Sequence, residues 1–211
     1  MAGGVKVIGI AAMTRRIGTL VVLGSLAATL FGAPAAAAAP VPSAVSVEAV
    51  CPPPAPGYAQ CLALRRTDVA AQPALTASPM IGTPPYGPAD IKSAYALPGG
   101  SAGSGLTVAV VDAFDLPTAE ADLAAYRSAY GLPACTTANG CFRKVNQHGV
   151  QGSYPTVNTA WGQEIALDID MVSAACPNCN ILLVEATTNS MSNLGASVNT
   201  AVSLGAVPSV V

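Results

Sequence analysis

The stretch Trp161-Gly-Gln-Glu164-Ile-Ala-Leu-Asp168-Ile-Asp170-Met-Val-Ser-Ala-Ala175, with Cys176-Pro-Asn-Cys179 and Ile181-Leu-Leu-Val-Glu185 after it, passes from a helical period to a continuous apolar run. A helix over about Thr159 to Ala175 is expected, stopped by Pro177. Ile181–Glu185 is too short for a buried helix and reads as a buried strand. At about 100° per residue, Gln163, Ala166, Asp170 and Ser173 fall on one stripe, which suits water. Glu164 and Asp168 lie four apart and share another face, next to Met171, Val172 and Ala175. Two carboxylates on an apolar face are costly, because desolvation and mutual repulsion raise at least one pKa. Such a pair is a candidate for acid–base chemistry. An exposed helix with unpaired acids, or a pair neutralised by a distant arginine, fits the same pattern.

Working outward, Leu106-Thr-Val-Ala-Val-Val-Asp112 is a near-continuous apolar run, as in a parallel strand covered on both faces. A helix from Pro117 to Tyr130 follows, with Ala121, Leu123, Ala124 and Tyr126 as core candidates. Cys135 to Cys141 is a loop, Phe142 to Asn146 a second strand, and Gly149 to Pro155 a linker. Upstream, Pro88 to Tyr95 is a short helix ended by Leu97-Pro98-Gly99-Gly100. Downstream, a helix runs from about Ser192 to Leu204, and Ala206 to Val211 opens one more strand. Strands alternating with helices predict an α/β fold with a mainly parallel sheet flanked by helices and right-handed crossovers. A sheet ending on a new strand exposes an apolar edge, so the fold is expected to be incomplete at the C-terminus.

The 211 residues carry a net charge of −2, and only 9% of them are charged. No basic patch suggests a nucleic-acid partner. Residues 1–39 read as a secretory signal peptide: Lys6, Arg15 and Arg16 precede the apolar run Ile17 to Phe31, and Ala35 to Ala39 offers small-residue cleavage sites. Gly18 and Thr19 after Arg15-Arg16 favour the general secretory route over a twin-arginine one. Gly24, Gly32 and Pro34 argue against a membrane anchor, so a secreted, extracellular protein with no membrane association after signal removal is expected. Residues 40–84 are rich in Pro and Ala and read as an extended N-terminal arm or short propeptide. Cys51-Pro-Pro-Pro-Ala-Pro fits neither a helix interior nor a central strand. Arg65, Arg66 and Asp68 read as solvated surface. The packed domain is expected from residue 85 to 211.

Cys51, Cys61, Cys135, Cys141, Cys176 and Cys179 are disulfide candidates for an oxidising compartment. Six cysteines allow many pairings, and nearest-neighbour closure is favoured only because short loops close easily. Cys176-x-x-Cys179 also matches redox and zinc motifs. It follows a helix in a chain read as secreted, and no second ligand pair of suitable spacing is present, so a structural disulfide is preferred. Asp112 ends a strand, where α/β folds place functional groups. The one histidine, His148, falls in a loop, which argues against an ordinary Ser-His-Asp triad. Asp112 is therefore read as structural or as the edge of a cleft, and His148 as surface. Gly99-Gly100-Ser-Ala-Gly103 precedes a strand and is read as a simple loop rather than a phosphate loop. No metal site and no cofactor is expected from these residues.

Four stretches, in this order and spacing, resemble the sedolisin family of serine-carboxyl peptidases. Tyr86-Gly-Pro-Ala-Asp-Ile91-x-x-Ala94-Tyr95-x-Leu97-Pro98 is similar to the opening of that family's catalytic domain, and Thr107-Val-Ala-Val-Val-Asp112 to its first core strand. Glu164-Ile-Ala-Leu-Asp168 is similar to its Glu-x-x-x-Asp helix. Ala175-Cys-Pro-x-Cys-x-Ile181 is similar to the turn and strand that follow, with a disulfide seen in some bacterial members. The resemblance covers Tyr86 to the end and implies a subtilisin-like fold and peptide-bond hydrolysis at acid pH. It assigns Glu164 as general base and Asp168 as the acid that holds it. In the family a serine in a Gly-Thr-Ser motif is the nucleophile, a further aspartate serves the oxyanion, and a calcium site lies near the C-terminus.

No Gly-Thr-Ser follows Asp168 in this sequence, and no aspartate follows Asp170. The chain is therefore expected to hold the N-terminal part of a peptidase domain, truncated before the serine, and to lack endopeptidase activity by itself. A peptide or protein substrate is the partner implied. The alternative is a non-catalytic secreted protein derived from the family and stabilised by disulfides.

Overall fold

The structure, a computed structural model, describes residues 45–69 and 86–205. In chain order its elements are β1 (Val47–Ala49), β2 (Leu64–Arg66), α1 (Pro88–Ala94), β3 (Thr107–Ala113), α2 (Ala119–Ala129), β4 (Phe142–Asn146), α3 (Thr159–Ala175), β5 (Asn180–Ala186) and α4 (Met191–Ser203). The larger sheet is parallel, in the order β3-β5-β4, with Val110 opposite Leu183 and Val145 opposite Val184. The α/β architecture with helices against a parallel sheet is thus observed. The signal segment 1–39, residues 70–85 and the strand expected over Ala206–Val211 lie outside the described residues.

The apolar runs are continuous because the sheet is covered on both faces. Ile181 and Leu183 join Val110 and Phe142 against Leu123 of α2 and Ile165, Ile169 and Val172 of α3. Leu182 and Val184, pointing the other way, pack with Ala109, Val145 and Ala201 of α4. Burying each of these larger aliphatic side chains stabilises the fold by about 1.5–3 kcal/mol. Local signals set the helix starts. The Asn158 side chain accepts hydrogen bonds from the N–H groups of Ala160 and Trp161 at 3.0 and 3.1 Å, and Ser190 caps α4 in the same way through Asn193.

The facing of α3 differs from the sequence reading. Part of the stripe expected in water packs inward: Ser173 is fully buried and one carboxylate oxygen of Asp170 is out of solvent, while Gln163 and Ala166 are half-buried and Leu167 is exposed. The cause is α2, which lies beside α3 and inserts Arg127. This guanidinium is 2% exposed. It donates to the Ser173 hydroxyl at 3.0 Å and to the backbone carbonyls of Pro133 and Pro177. One charged side chain thereby ties α2, the loop before Cys135 and the turn after α3. Its hydrogen bonds offset the cost of burying it.

Residues 45–69, the described part of the segment read as an arm or short propeptide, contain regular structure. β1 and β2 form an antiparallel ribbon, with Glu48 opposite Arg65, closed by the Cys51–Cys61 disulfide with Cα atoms 5.5 Å apart. Cys51 and Cys61 are buried against Ala113 at the end of β3 and Trp161 in α3. The prolines of the Cys51–Cys61 loop stay exposed, and its two disulfide cysteines supply the burial. Arg65 and Arg66 pair with Glu48 and Asp68 at the exposed surface, as expected.

The remaining disulfides, Cys135–Cys141 and Cys176–Cys179, also join sequence neighbours. The loop over residues 99–103 has a packing role that its sequence did not reveal. Gly103 has φ +83°, and a Cβ there would fall 2.1 Å from the Cys176 sulfur. Only glycine lets this loop lie against the disulfide.

Arg127→Ala removes three hydrogen bonds and leaves buried acceptors unpaired. Urea denaturation should show a loss of about 2–4 kcal/mol. A loss below about 0.5 kcal/mol would show that the clamp is dispensable.

Candidate functional site

Helix α3 starts at its Asn158 cap and runs beside the carboxyl end of β3. This brings Glu164 and Asp168, one turn apart, over the strand end that carries Asp112. Asp112 follows Val110 at the two-residue strand period, so it stands on the face that α3 covers. It is 4% exposed, and one of its carboxylate oxygens has no hydrogen-bond partner. Burial raises Asp112 well above the ordinary carboxylate range, with repulsion from Asp168, Glu164 and Glu185 adding to it. Asp168 is pushed up to about 6, first by burial and then by the Glu164 charge. The two residues expected from the sequence are therefore together, and Asp112 joins them. The sequence reading of Asp112 as structural or as the edge of a cleft did not place it beside Glu164 and Asp168. The signal available was its position as the last polar residue of a strand buried on both faces.

The ribbon reaches this cluster. The N–H groups of Leu62 and Ala63 donate to the two carboxylate oxygens of Glu164, at 3.0 and 2.5 Å. No sequence pattern announces this contact, because it is made by backbone. On the other side, Asp168 borders an apolar groove of about 510 Å³ formed by Ile91, Tyr95 and Leu97 with Val108, Met171 and Val172. Beyond the N-terminal turn of α3, a cavity of about 320 Å³ is lined by Tyr58, Phe114 and Trp161 together with Asn158 and Asn189. Phe114 takes φ +67°, rare for a residue with a side chain. Its N–H is fixed to the Ala186 carbonyl at 2.8 Å.

A second polar group lies on the same sheet face and was not singled out in the sequence. Glu185, opposite Asp112 in the register, is fully buried. It accepts from the Leu116 N–H at 3.0 Å and sits 3.1 Å from the Lys144 ammonium. Lys144 also pairs with Asp115, donates to the Leu116 carbonyl at 2.8 Å and lies 4.2 Å from the centre of the Tyr154 ring. Burial pushes Glu185 up to about 7 against the opposing pull of the Leu116 N–H and Lys144. This group has its cation; the Glu164, Asp168 and Asp112 group, among the described residues, has no salt bridge.

His148 is exposed in its loop, away from the acids, as expected. All six cysteines are oxidised. Among the described residues no cluster of three or more metal-ligating side chains occurs, and no helix is long and apolar enough to cross a membrane.

The raised carboxyls fix a direction for stability against pH. Asp168, Glu185 and Asp170, the last pushed up to about 8 by burial and by Asp122, bind protons more tightly folded than unfolded. Their contribution is fully present below about pH 4, the unfolded carboxylate range. It is lost as pH rises through about 6, 7 and 8. The urea midpoint should therefore fall as pH is raised across this window; a midpoint that climbs with pH would contradict the assignment. Comparison with family models, with curated proteins and with solved structures returned no match for this chain.

Proposed function

We propose that the chain carries the acid–base half of a secreted serine-carboxyl endopeptidase site with a subtilisin-like fold, acting on peptide bonds at acid pH. The observation that supports this most is the convergence of the half-buried Glu164 and Asp168 on the buried Asp112, with no salt bridge to any of them among the described residues. Structural acids are ordinarily paired, whereas acids left to repel one another are poised to exchange a proton. The sequence resemblance to the sedolisin family gives Glu164 the role of base and Asp168 that of its partner. A carboxyl at about 6 holds its proton through the acid range, which suits low-pH work. The three disulfides fit an oxidising, extracellular setting. The serine nucleophile and the oxyanion aspartate are not among the 211 residues, so hydrolysis needs groups supplied by further sequence.

The second reading is a non-catalytic secreted protein. The bond pair from Leu62 and Ala63 favours it, because a carboxylate that staples a ribbon has a structural use.

The two readings separate on the coding sequence beyond codon 211. The peptidase reading expects a Gly-Thr-Ser motif there in one of the frames. The joined product should cleave protein substrates at acid pH, and its kcat should fall by about 100-fold or more in Glu164→Gln. Downstream sequence without that motif, or hydrolysis indifferent to Glu164→Gln, rejects it.

A further inference from the structure

The cavity of about 320 Å³ at the N-terminal turn of α3 is built from parts of the chain far apart in sequence. One wall is the loop between Cys51 and Cys61, with Tyr58 on it; the other is Phe114, just after β3, and Trp161 in α3. The loop is held where it lies. The Cys51–Cys61 disulfide closes it, the Ala59 N–H meets the Asn189 carbonyl at 2.8 Å, and the Asn189 side-chain amide meets the Ala59 carbonyl at 2.8 Å. Phe114 is half-buried at φ +67°. Such strain persists only where the surroundings over-determine it, and it clusters at ligand clamps. Here the Phe114 and Trp161 rings stand 6.4 Å apart at 52°, which makes a corner rather than a flat platform.

Among the described residues that line this cavity, none is Asp, Glu, Lys, Arg or His. A charged group entering it would lose water and meet no counter-ion. The polar character comes from three side-chain amides, each half engaged. The Asn158 oxygen accepts from the Ala160 and Trp161 N–H groups, and the Gln60 and Asn189 amino groups donate to the Cys51 and Ala59 carbonyls. The opposite end of each amide makes no hydrogen bond among the described residues. The walls therefore offer one amino donor and two carbonyl acceptors beside an aromatic corner. A peptide carries the matching set, an N–H and a C=O at each residue beside a side chain.

We propose that this cavity is a binding pocket for a bulky, uncharged, preferably aromatic side chain of a peptide, whose backbone is met by Asn158, Asn189 and Gln60. The corner between Phe114 and Trp161 suits a third ring edge to face. The volume lies at the small end of ligand pockets, which run from about 300 to 1,000 Å³, so it fits one residue rather than a larger ligand. Trp161 and Glu164 are three apart on α3 and share a face, about 4.5 Å along the axis. An extended peptide advances about 3.3 Å per residue, so the residue held here is one or two away from a bond set at Glu164. That the peptide is a substrate rests on the peptidase reading; the ligand class does not.

The test uses the single tryptophan of the chain, which stands in the cavity wall and gives one indole N–H resonance by NMR. The full 211-residue chain is titrated with the N-acetylated amides of phenylalanine, lysine and glutamate, and with N-acetylglucosamine. The phenylalanine probe should shift the indole resonance to saturation with a Kd of about 1 mM, the order expected of so small a ligand. The lysine and glutamate probes should bind at least about tenfold more weakly. Tyr58→Ala removes one wall and should weaken binding of the phenylalanine probe by about fivefold, whereas Tyr58→Phe keeps the ring and should stay within about twofold.

An indole resonance unmoved by the phenylalanine probe up to about 20 mM, tighter binding of a charged probe or of N-acetylglucosamine, or equal effects of the two Tyr58 variants would overturn the proposal. Tyr58 is 47% exposed, so both variants are expected to fold. Should either not, the ranking of the probes on the wild-type chain decides alone. None of these readouts involves hydrolysis, so the peptidase reading and the pocket can fail separately.

Discussion

Strand β5 meets water on neither face, so its backbone must be answered by β3 and β4 and its side chains by α3 and α4. The constraint propagates outward. Two-sided cover fixes where the helices lie, and their placement fixes what happens where the sheet ends. At that end Asp112 and Glu185 stand side by side in register, still buried although the apolar run has stopped. The fold treats the two acids differently. Glu185 is given Lys144 and a backbone donor. Asp112 faces two more acids on α3 and, among the described residues, makes no salt bridge. A pair of adjacent strand ends thus separates into one acid beside a cation and one facing further acids.

Much of this was legible because the relevant forces are local. Leu106–Asp112 and Ile181–Glu185 announce buried parallel strands through unbroken apolar character. Pro177 bounds α3 at its C-terminal end. The i,i+4 spacing of Glu164 and Asp168 is enough to make them neighbours, whatever the helix packs against. The three short-range cysteine pairings needed only the ease of closing small loops.

What was not legible depends on groups distant in sequence or on backbone alone. The burial of Ser173 could not be read from the periodicity of α3, because its partner Arg127 lies on another helix. The site's tightest contacts come from the N–H groups of Leu62 and Ala63, which are present in every residue but proline and so leave no trace in composition. Proline-rich sequence around Cys51 pointed to an extended arm, and the same prolines form the loop that the disulfide folds back onto Trp161. Lys144, which no sequence pattern singled out, lies beside Glu185.

The ribbon's contact with Glu164 spans 102 residues of chain. During synthesis at about 5–20 residues per second, the carboxylate that the ribbon grips emerges roughly 5–20 s after the ribbon itself. The Cys51–Cys61 loop spans a separation of only 10 residues and can close without any other part of the protein. Its docking surface, made of Ala113 and Trp161, exists only after β3 and α3 have met. The first piece of this unit to be made is therefore among the last to find its place, and it must keep its shape while it waits.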